Sequence, residues 1–217
     1  MNLFALTDYK LSALRQQVVQ EVARRTKAAT DNADSAAVIH GNEFAKRALI
    51  VAAAGGHSIL FVGPSTCGKT MMRAVALELG LAETFEIRCC RCGNRSDPRS
   101  DCTCTVRQVE RHLGRMPQAD ITVEMQRPTH REMGCRGTKL ADMRRQIEAK
   151  SEYVSTELGP HESSLMRAAV IETALDPAAR ETVLAVARTI ASLDNCEQLE
   201  ASHLVEAINY RPLATGV

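Results

Sequence analysis

The sequence predicts an α/β protein in which a small parallel sheet is flanked by helices and is followed by a helical C-terminal part. Three observations support this fold class. The glycine-rich stretch GPSTCGKT, residues 63–70, directly follows the apolar run 58–62. Short apolar runs that are typical of strands recur at 84–88 and 121–125. Beyond Lys139 the apolar residues recur at helical spacing.

Composition limits the class of protein. A chain of 217 residues is long enough for one or two domains. A net charge of +1 gives no overall field that favours nucleic acid or an acidic partner. No apolar run approaches the roughly 18 residues of a membrane span, and the N-terminus does not resemble a signal peptide, so we expect a cytoplasmic protein. In that compartment, eight cysteines indicate metal ligands rather than disulfides.

The remaining elements follow in chain order. Tyr9–Ala29 has the apolar spacing of an amphipathic helix, and the polar stretch Thr30–Ser35 is a linker. Glu43–Ala54 is a helix that stops at a glycine pair, and Met71–Leu79 is a helix that follows the glycine-rich loop. Asp176 and Pro177 predict a helix start, whereas 128–137 is predicted as a loop. We expect an N-terminal helix and linker at 1–36, a sheet-containing core at 37–134 and a helical domain at 135–217.

The stretch Gly63–Thr70 has the pattern of a phosphate-binding loop, with a strand before it and a helix after it. Glycines let consecutive backbone N–H groups surround phosphate oxygens, a lysine reaches the terminal phosphates, and a hydroxyl holds magnesium. This pattern predicts binding of ATP or ADP with magnesium, in which Thr70 contacts the metal ion. The candidate nucleotide-binding residues are Gly63, Pro64, Ser65, Thr66, Cys67, Gly68, Lys69, Thr70 and Met71.

The sequence offers few acids to activate water. A nucleotide hydrolase needs a second strand that ends in an acid, which holds magnesium and helps position water. Glu86 lies in the middle of its apolar run, and Glu124 is the other candidate, in a run whose alternation fits a half-exposed strand. The sequence therefore favours nucleotide binding with weak or no hydrolysis.

Two close pairs of cysteines flank a short polar loop. Four thiolates in this arrangement suit a tetrahedral Zn²⁺ ion, although each pair has one intervening residue rather than the usual two to four. The alternatives are a redox-active cluster, or cysteines that serve as small residues in a surface loop. The candidate zinc ligands are Cys90, Cys92, Cys102 and Cys104.

A basic stripe consists of Arg107, Arg111 and Arg115, which are spaced four residues apart on a predicted helix. Such a stripe could contact the phosphates of a nucleotide or of a nucleic acid. A solvated helix face is the favoured interpretation.

Three stretches resemble the magnesium-chelatase I subunit and the ComM-type AAA+ ATPases. They are AKRALIVAAAGGHSILFVGPSTCGKTMM at 45–72, RCGNRSDPRSDCTC at 91–104 and VARTIASLDNCEQLEASHLVEAINYR at 186–211. The cysteine-bearing stretch is similar to an insertion of the ComM-type branch. The resemblance implies a P-loop AAA+ core with a helical lid domain over ATP, usually in a hexameric ring, so a homo-oligomer or a larger AAA+ partner is expected.

The chain also departs from the pattern that the resemblance implies. The family's long segment between the phosphate-loop helix and the cysteines is almost absent, and with it the strand that bears the magnesium-binding acidic pair. Arg88 stands where the family has its sensor asparagine, and Ala178, with Arg180 nearby, stands at the sensor arginine. The Asp-Arg pair that supplies the finger arginine is reduced to 116–120.

Three hypotheses result from these features. The first is a truncated P-loop AAA+ protein that binds ATP or ADP and hydrolyses ATP weakly or not at all. The second is an active ATPase whose acid is Glu124, Glu86 or a residue of a neighbouring subunit. The third is a zinc-stabilised module that binds a protein or nucleic-acid partner.

Overall fold

The computed structural model describes residues 38–97, 99–155, 157–173 and 175–211. The chain divides into two units, Met1–Val38 and Ile39–Val217. The first unit lies almost wholly outside the described residues, and so do the helix and linker expected within residues 1–36. The description below concerns the second unit, with the strand that begins at Val38.

Five strands and eight helices occur within the described ranges. The strands are β1 (Val38–Ile39), β2 (Ile59–Gly63), β3 (Thr84–Arg88), β4 (Ile121–Glu124) and β5 (Thr138–Lys139). The helices are α1 (Glu43–Gly55), α2 (Lys69–Glu78), α3 (Val106–Leu113), α4 (His130–Met133), α5 (Leu140–Glu148), α6 (Pro160–Thr173), α7 (Pro177–Leu193) and α8 (Ala201–Asn209).

The main sheet has three parallel strands in the order β3-β2-β4. In the register, Ile59 of β2 lies between Thr84 of β3 and Ile121 of β4. Every residue of β2 is buried, as the continuous apolar run predicts for a central parallel strand. The predicted small parallel sheet is therefore confirmed, and the loop-bearing strand β2 lies in its centre. A separate two-stranded sheet is formed by β1 and β5.

One face of this sheet is covered by α3 and by the stretch that carries the clustered cysteines, residues 89–104, called the cysteine segment below. Val109 of α3 packs with Leu60 and Val62 of β2 and with the buried Cys89 and Cys90. The alternation of side chains along a strand places Leu60 and Val62 on the same face. Helices α1 and α2 also contact the strands of the sheet. The predicted α/β fold class, a small sheet flanked by helices and followed by a helical C-terminal part, is confirmed.

The helical C-terminal part contacts α1. Helix α7 packs against both α1 and α8. It begins as predicted, because Asp176 accepts a hydrogen bond from the N–H of Ala179 at 2.6 Å and Pro177 occupies the first turn. Arg47 of α1 forms ion pairs with Asp194 and with Glu206 of α8, at 2.9 and 3.0 Å. The division between domains 37–134 and 135–217 stays a prediction.

The prediction of a loop over 128–137 is wrong, because this segment contains α4. Thr129 and Glu132 form a capping box. The N–H of Thr129 donates to Glu132 at 2.7 Å, and the N–H of Glu132 donates to the Thr129 hydroxyl at 3.3 Å. These two bonds satisfy N–H groups that a helix start otherwise leaves unpaired.

A membrane span is not found: within the described part of the chain, every helix is too short or too polar to cross a bilayer.

Candidate nucleotide-binding site and metal centre

The glycine-rich loop lies at the carboxyl end of the central strand. It leaves β2 at Gly63 and enters α2 at Lys69, so the nine predicted residues from Gly63 to Met71 lie together in this loop and the first turn of α2. Thr66 and Gly68 have φ angles of 64° and 98°. Left-handed residues in a tight turn aim successive N–H groups at one point, which is the geometry of an anion-binding nest. The N-terminal end of α2 adds a partial positive charge there.

Gly63 is required by a close backbone approach. A Cβ atom at this position would lie 2.5 Å from the carbonyl oxygen of Met125 and 2.9 Å from the sulfur of Cys67. The N–H of Met125 donates to Val62 at 2.7 Å, so the chain that follows β4 is bonded to β2 next to the loop. Only glycine fits between the two strand ends without displacing this backbone.

Lys69 folds over the loop. Its Nζ atom donates to the carbonyl oxygens of Gly63 and Pro64 at 3.0 and 2.6 Å. The ammonium group therefore stands at the loop opening, next to the N-terminal turn of α2. Thr70 lies in that same turn, directly after Lys69, and is exposed. The loop and the first turn of α2 thus carry a cation and a hydroxyl on adjacent residues, Lys69 and Thr70.

Acidic side chains are scarce at this edge of the sheet. Glu124 ends β4 beside Val62, and its exposed carboxylate accepts a hydrogen bond from Ser96 at 2.5 Å. Glu86 lies opposite Phe61 in the register, two residues before β3 ends, and is exposed. At the end of β3, opposite Gly63, the residue is the cation Arg88.

Asn42 and Arg127 contact the loop, and Asp97 reaches it through Arg127; none of the three was predicted from sequence as functional. Asn42 donates to the carbonyl of Cys67 at 3.4 Å and exchanges two hydrogen bonds with the backbone of Gln126. Arg127 donates from Nε to the carbonyl of Ser65 at 3.1 Å. The Arg127 guanidinium is in turn 3.1 Å from Asp97, whose side chain is 0% exposed. No local pattern in the sequence indicates that these residues meet the loop.

The four predicted zinc ligands form one cluster. All four sulfur atoms lie within 4.8 Å of one another. The sulfur of Cys90 is 3.3 Å from that of Cys92 and 3.7 Å from that of Cys102, and the last two are 3.6 Å apart. Four sulfurs at 2.3 Å from a tetrahedral zinc ion stand about 3.8 Å apart. The donor set and its spacing therefore fit a metal ion such as zinc.

The surroundings of this cluster favour thiolates at some sulfurs more than at others. A hydrogen bond from the backbone of Asn94, reinforced by Cys90, lowers the pKa of Cys92 to about 6. The backbone N–H of Cys104 lowers the pKa of Cys102, but burial and the sulfurs of Cys92 and Cys90 outweigh it and raise that pKa to about 11. Burial raises the pKa of the adjacent Cys89 to about 12. Cys89 therefore stays a neutral thiol, and its Sγ donates to the carbonyl of Arg95.

The basic stripe is exposed to solvent. Arg107 and Arg111 lie on α3, whereas Arg115 follows its C-terminal end. Thr105 begins α3 with a capping box to Gln108, which confirms the predicted helix. The exposure suits a solvated face as well as a phosphate-contacting one.

A cavity of about 490 Å³ lies at the opposite end of the strands. Ser58 and Asp120, which precede β2 and β4, line it together with Asp176 and Thr182 at the start of α7. None of the predicted nucleotide or metal residues lines this cavity. Phosphate recognition needs convergent N–H groups and cations more than an enclosed volume, so the loop and its donors are the better candidate site.

The parallel sheet, the glycine-rich connection from its central strand to a helix and the helical C-terminal part define a truncated AAA+-type core. Residues 35–87 match the family described as magnesium chelatase, subunit ChlI. Residues 119–211 match the family described as magnesium chelatase, subunit ChlI C-terminal. The chain therefore belongs to the magnesium-chelatase I-like family, which is an AAA+ ATP-binding family. A comparison with curated proteins found no match.

The two family matches leave a gap from 88 to 118. This gap contains the whole cysteine segment and α3. The glycine-rich loop, by contrast, lies inside the first match, and the helices α5 to α8 lie inside the second. The family therefore accounts for the loop and the C-terminal helices, but the candidate metal centre rests on the geometry of its sulfur atoms alone.

Proposed function

We propose that this chain binds ATP or ADP with magnesium at Gly63–Thr70 and hydrolyses ATP weakly or not at all. The observation that carries the proposal is the position of Lys69, which stands over the loop carbonyls at the carboxyl end of the buried strand β2. Family membership supports nucleotide binding as well. The proposal extends to the residues Gly63 to Met71 as the nucleotide-binding set.

The roles within the loop follow from their chemistry. Backbone N–H groups at the start of α2 bind the phosphate oxygens, assisted by the helix dipole. The Lys69 ammonium leaves its two carbonyl partners and neutralises the terminal phosphates, which are stronger acceptors because they are charged. The Thr70 hydroxyl is the ligand for magnesium, which usually keeps several waters and binds to substrate phosphates.

Hydrolysis requires more than this loop offers. Phosphoryl transfer depends almost wholly on positioning and on stabilising charge, so a magnesium-binding acid and a water-positioning group must both be present. The described sheet has three strands, and their carboxyl ends offer Glu124 as the nearest acid, bonded to Ser96. Arg88 at the end of β3 attracts phosphate but cannot activate water. We therefore propose a nucleotide-dependent binding protein that works in a homo-oligomer or with a larger AAA+ partner.

We also propose that the cysteine cluster holds one zinc ion. The described residues between the two cysteine pairs, 93–97 and 99–101, contain no helix or strand, so metal ligation is the strongest available constraint on their shape. Zinc in a site with four thiolates has a structural role, since no coordination position remains open for chemistry. Elemental analysis of the purified chain, before and after dialysis against a chelator, tests this assignment: one zinc per chain is expected before dialysis.

The test of the main proposal compares wild type with Lys69→Ala. Steady-state hydrolysis of Mg·ATP is expected to equal background in both proteins. Mg·ADP at a hundredfold excess over its dissociation constant adds about 2.7 kcal/mol of stability. For a chain of this length that raises the melting temperature by roughly 5 to 11 °C, in wild type alone. Turnover that disappears in Lys69→Ala would contradict the absence of hydrolysis, and no thermal shift in wild type would contradict nucleotide binding.

The position of Glu124 favours one second candidate, an active ATPase that uses this carboxylate. Glu124 is paired in the register with Val62, and Val62 is the residue that directly precedes the loop. If wild type hydrolyses Mg·ATP, Glu124→Gln should abolish turnover while leaving Mg·ADP binding intact. Glu86→Gln is the matched control, because Glu86 is exposed and lies farther from the strand end.

A further inference from the structure

The cysteine segment is bonded directly to the phosphate loop. The N–H of Ser65 donates to the carbonyl of Gly93 at 3.2 Å. The N–H of Cys89 donates to the carbonyl of Gly63 at 3.1 Å. Gly93 is buried, has a φ angle of 81°, and leaves so little room that a Cβ there would lie 2.9 Å from the Ser65 hydroxyl. The two loops therefore touch at the backbone, where the position of one sets the position of the other.

A second connection reaches Ser65 from its other side. The carbonyl of Ser65 accepts a hydrogen bond from Arg127, and the guanidinium of Arg127 lies 3.1 Å from the fully buried carboxylate of Asp97. Asp97 belongs to the same cysteine segment, and its Oδ1 atom also accepts the N–H of Arg99 at 3.1 Å. Both polar backbone groups of Ser65 are thus held by the cysteine segment, one directly and one through Arg127.

The residues that hold Ser65 lie within the metal-binding segment itself. Gly93 immediately follows Cys92, and its N–H donates to the carbonyl of Cys90 at 3.1 Å. The N–H of Arg95 donates to the sulfur of Cys90 at 3.4 Å. A metal ion that joins the four sulfurs therefore fixes the turn that places the Gly93 carbonyl against Ser65.

We propose that metal binding at the cysteine cluster strengthens nucleotide binding at the phosphate loop, through the contacts of Gly93 and the Asp97–Arg127 pair with Ser65. The inference rests on the proposed functions of both sites. Its direction follows from conformational entropy: a loop that metal has already ordered loses less freedom when the phosphate loop closes on a nucleotide. By linkage, the nucleotide must tighten metal binding by the same factor.

The experiment uses the full chain, loaded with one equivalent of Zn²⁺ or stripped with a chelator that is then removed. Calorimetric titration with Mg·ADP is expected to give an affinity about tenfold higher in the zinc form, within the range of measured coupling between sites. Competition for zinc with a chromogenic chelator should show the same factor when Mg·ADP is present. Equal Mg·ADP affinities in the two forms overturn the coupling while nucleotide binding stands. No binding in either form overturns both.

Two variants locate the connection. Asp97→Asn removes the charge that holds Arg127 but keeps every cysteine and the whole phosphate loop. The variant should therefore still bind one zinc and Mg·ADP. The tenfold ratio of Mg·ADP affinity between its zinc-loaded and stripped forms should fall towards one. Asp101→Asn is the matched control, because Asp101 is an exposed acid in the same segment whose carboxylate makes no hydrogen bond or ion pair among the described residues. A factor that is unchanged in Asp97→Asn overturns this route. The zinc competition in wild type tests the coupling independently if Asp97→Asn fails to fold.

Discussion

Replacing Gly63 with alanine tests whether the phosphate loop is built around a close contact between strands. The added Cβ would lie 2.5 Å from the carbonyl oxygen of Met125 and 2.9 Å from the Cys67 sulfur. Both neighbours resist displacement, since Met125 is hydrogen-bonded to Val62 and the Cys67 side chain is only 1% exposed. The clash must therefore be relieved by moving the backbone after β4 away from β2.

The expected cost is that of overpacking a well-packed site, about 1 to 3 kcal/mol in the free energy of unfolding. For a chain of this length, each kcal/mol lowers the melting temperature by about 2 to 4 °C. Differential scanning calorimetry of Gly63→Ala measures this loss. Calorimetric titration with Mg·ADP measures the accompanying weakening of nucleotide affinity, which is expected because the strand end carries the first residue of the loop.

Gly134→Ala is the matched control. Gly134 follows α4, and the nearest atom to an added Cβ is the Arg131 carbonyl at 3.5 Å, an ordinary van der Waals distance. This variant should have the same melting temperature as wild type and the same affinity for Mg·ADP. If Gly63→Ala also melts within 1 °C of wild type and keeps its Mg·ADP affinity, then the contact with Met125 does not constrain the loop and the reasoning is refuted.

Three further predictions concern the metal centre, the C-terminal helices and pH. Cys92→Ser should lower the zinc content from one per chain, whereas Cys135→Ser, an exposed thiol outside the cluster, should retain it in elemental analysis. Tyr210→Phe should lower the free energy of unfolding by about 1.5 to 3 kcal/mol in urea denaturation, because the buried hydroxyl donates to the Glu206 carboxylate at 2.7 Å. Burial lowers the pKa of His57 in the folded chain, so the unfolded state takes up the proton first. The free energy of unfolding should therefore fall between pH 7.5 and 5.5 by more in wild type than in His57→Gln. Equal losses in the two proteins, measured by thermal melts, would exclude a contribution of His57 protonation.

Much of the fold could be predicted from sequence because its signals are local. The continuous apolar run before Gly63 indicates a buried parallel strand, and the structure places it in the centre of the sheet. Asp176 and Pro177 mark the start of α7 because a side-chain cap and a proline act within one turn. The four clustered cysteines were also predictable, since two close pairs on one short loop have few ways to separate.

The remaining features depend on contacts across the chain or on a signal that composition masked. Thr129 and Glu132 carry the sequence signature of a capping box, but the proline and glycines around them indicated a loop. Arg127 and Asp97 are thirty residues apart by number, and nothing in the charge pattern pairs them among the many arginines of this region. The hydrogen bond between Ser65 and Gly93 joins a backbone N–H to a backbone carbonyl, so side-chain patterns do not encode it.

The backbone hydrogen bond between Ser65 and Gly93 yields the sharpest test of whether the cysteine segment belongs to the proposed nucleotide site. Alanine at Gly93 must adopt a left-handed φ, which costs about 1 to 2 kcal/mol, and its Cβ would lie 2.9 Å from the Ser65 hydroxyl. Gly80→Ala is a control with the same backbone strain, since Gly80 has a φ of 89° and nothing within 4 Å of an added Cβ. The two variants should therefore lose similar stability in thermal melts, because the Ser65 hydroxyl can rotate away.

Their Mg·ADP affinities should differ, however, because only the Gly93 variant displaces the hydroxyl of a loop residue, Ser65. We expect weaker binding by Gly93→Ala, unchanged binding by Gly80→Ala, and one zinc per chain in both. Equal Mg·ADP affinity in the two variants would mean that the cysteine segment merely lies beside the loop. A loss confined to Gly93→Ala would mean that the nucleotide site extends into the cysteine segment, beyond the residues that the phosphate-loop pattern marks.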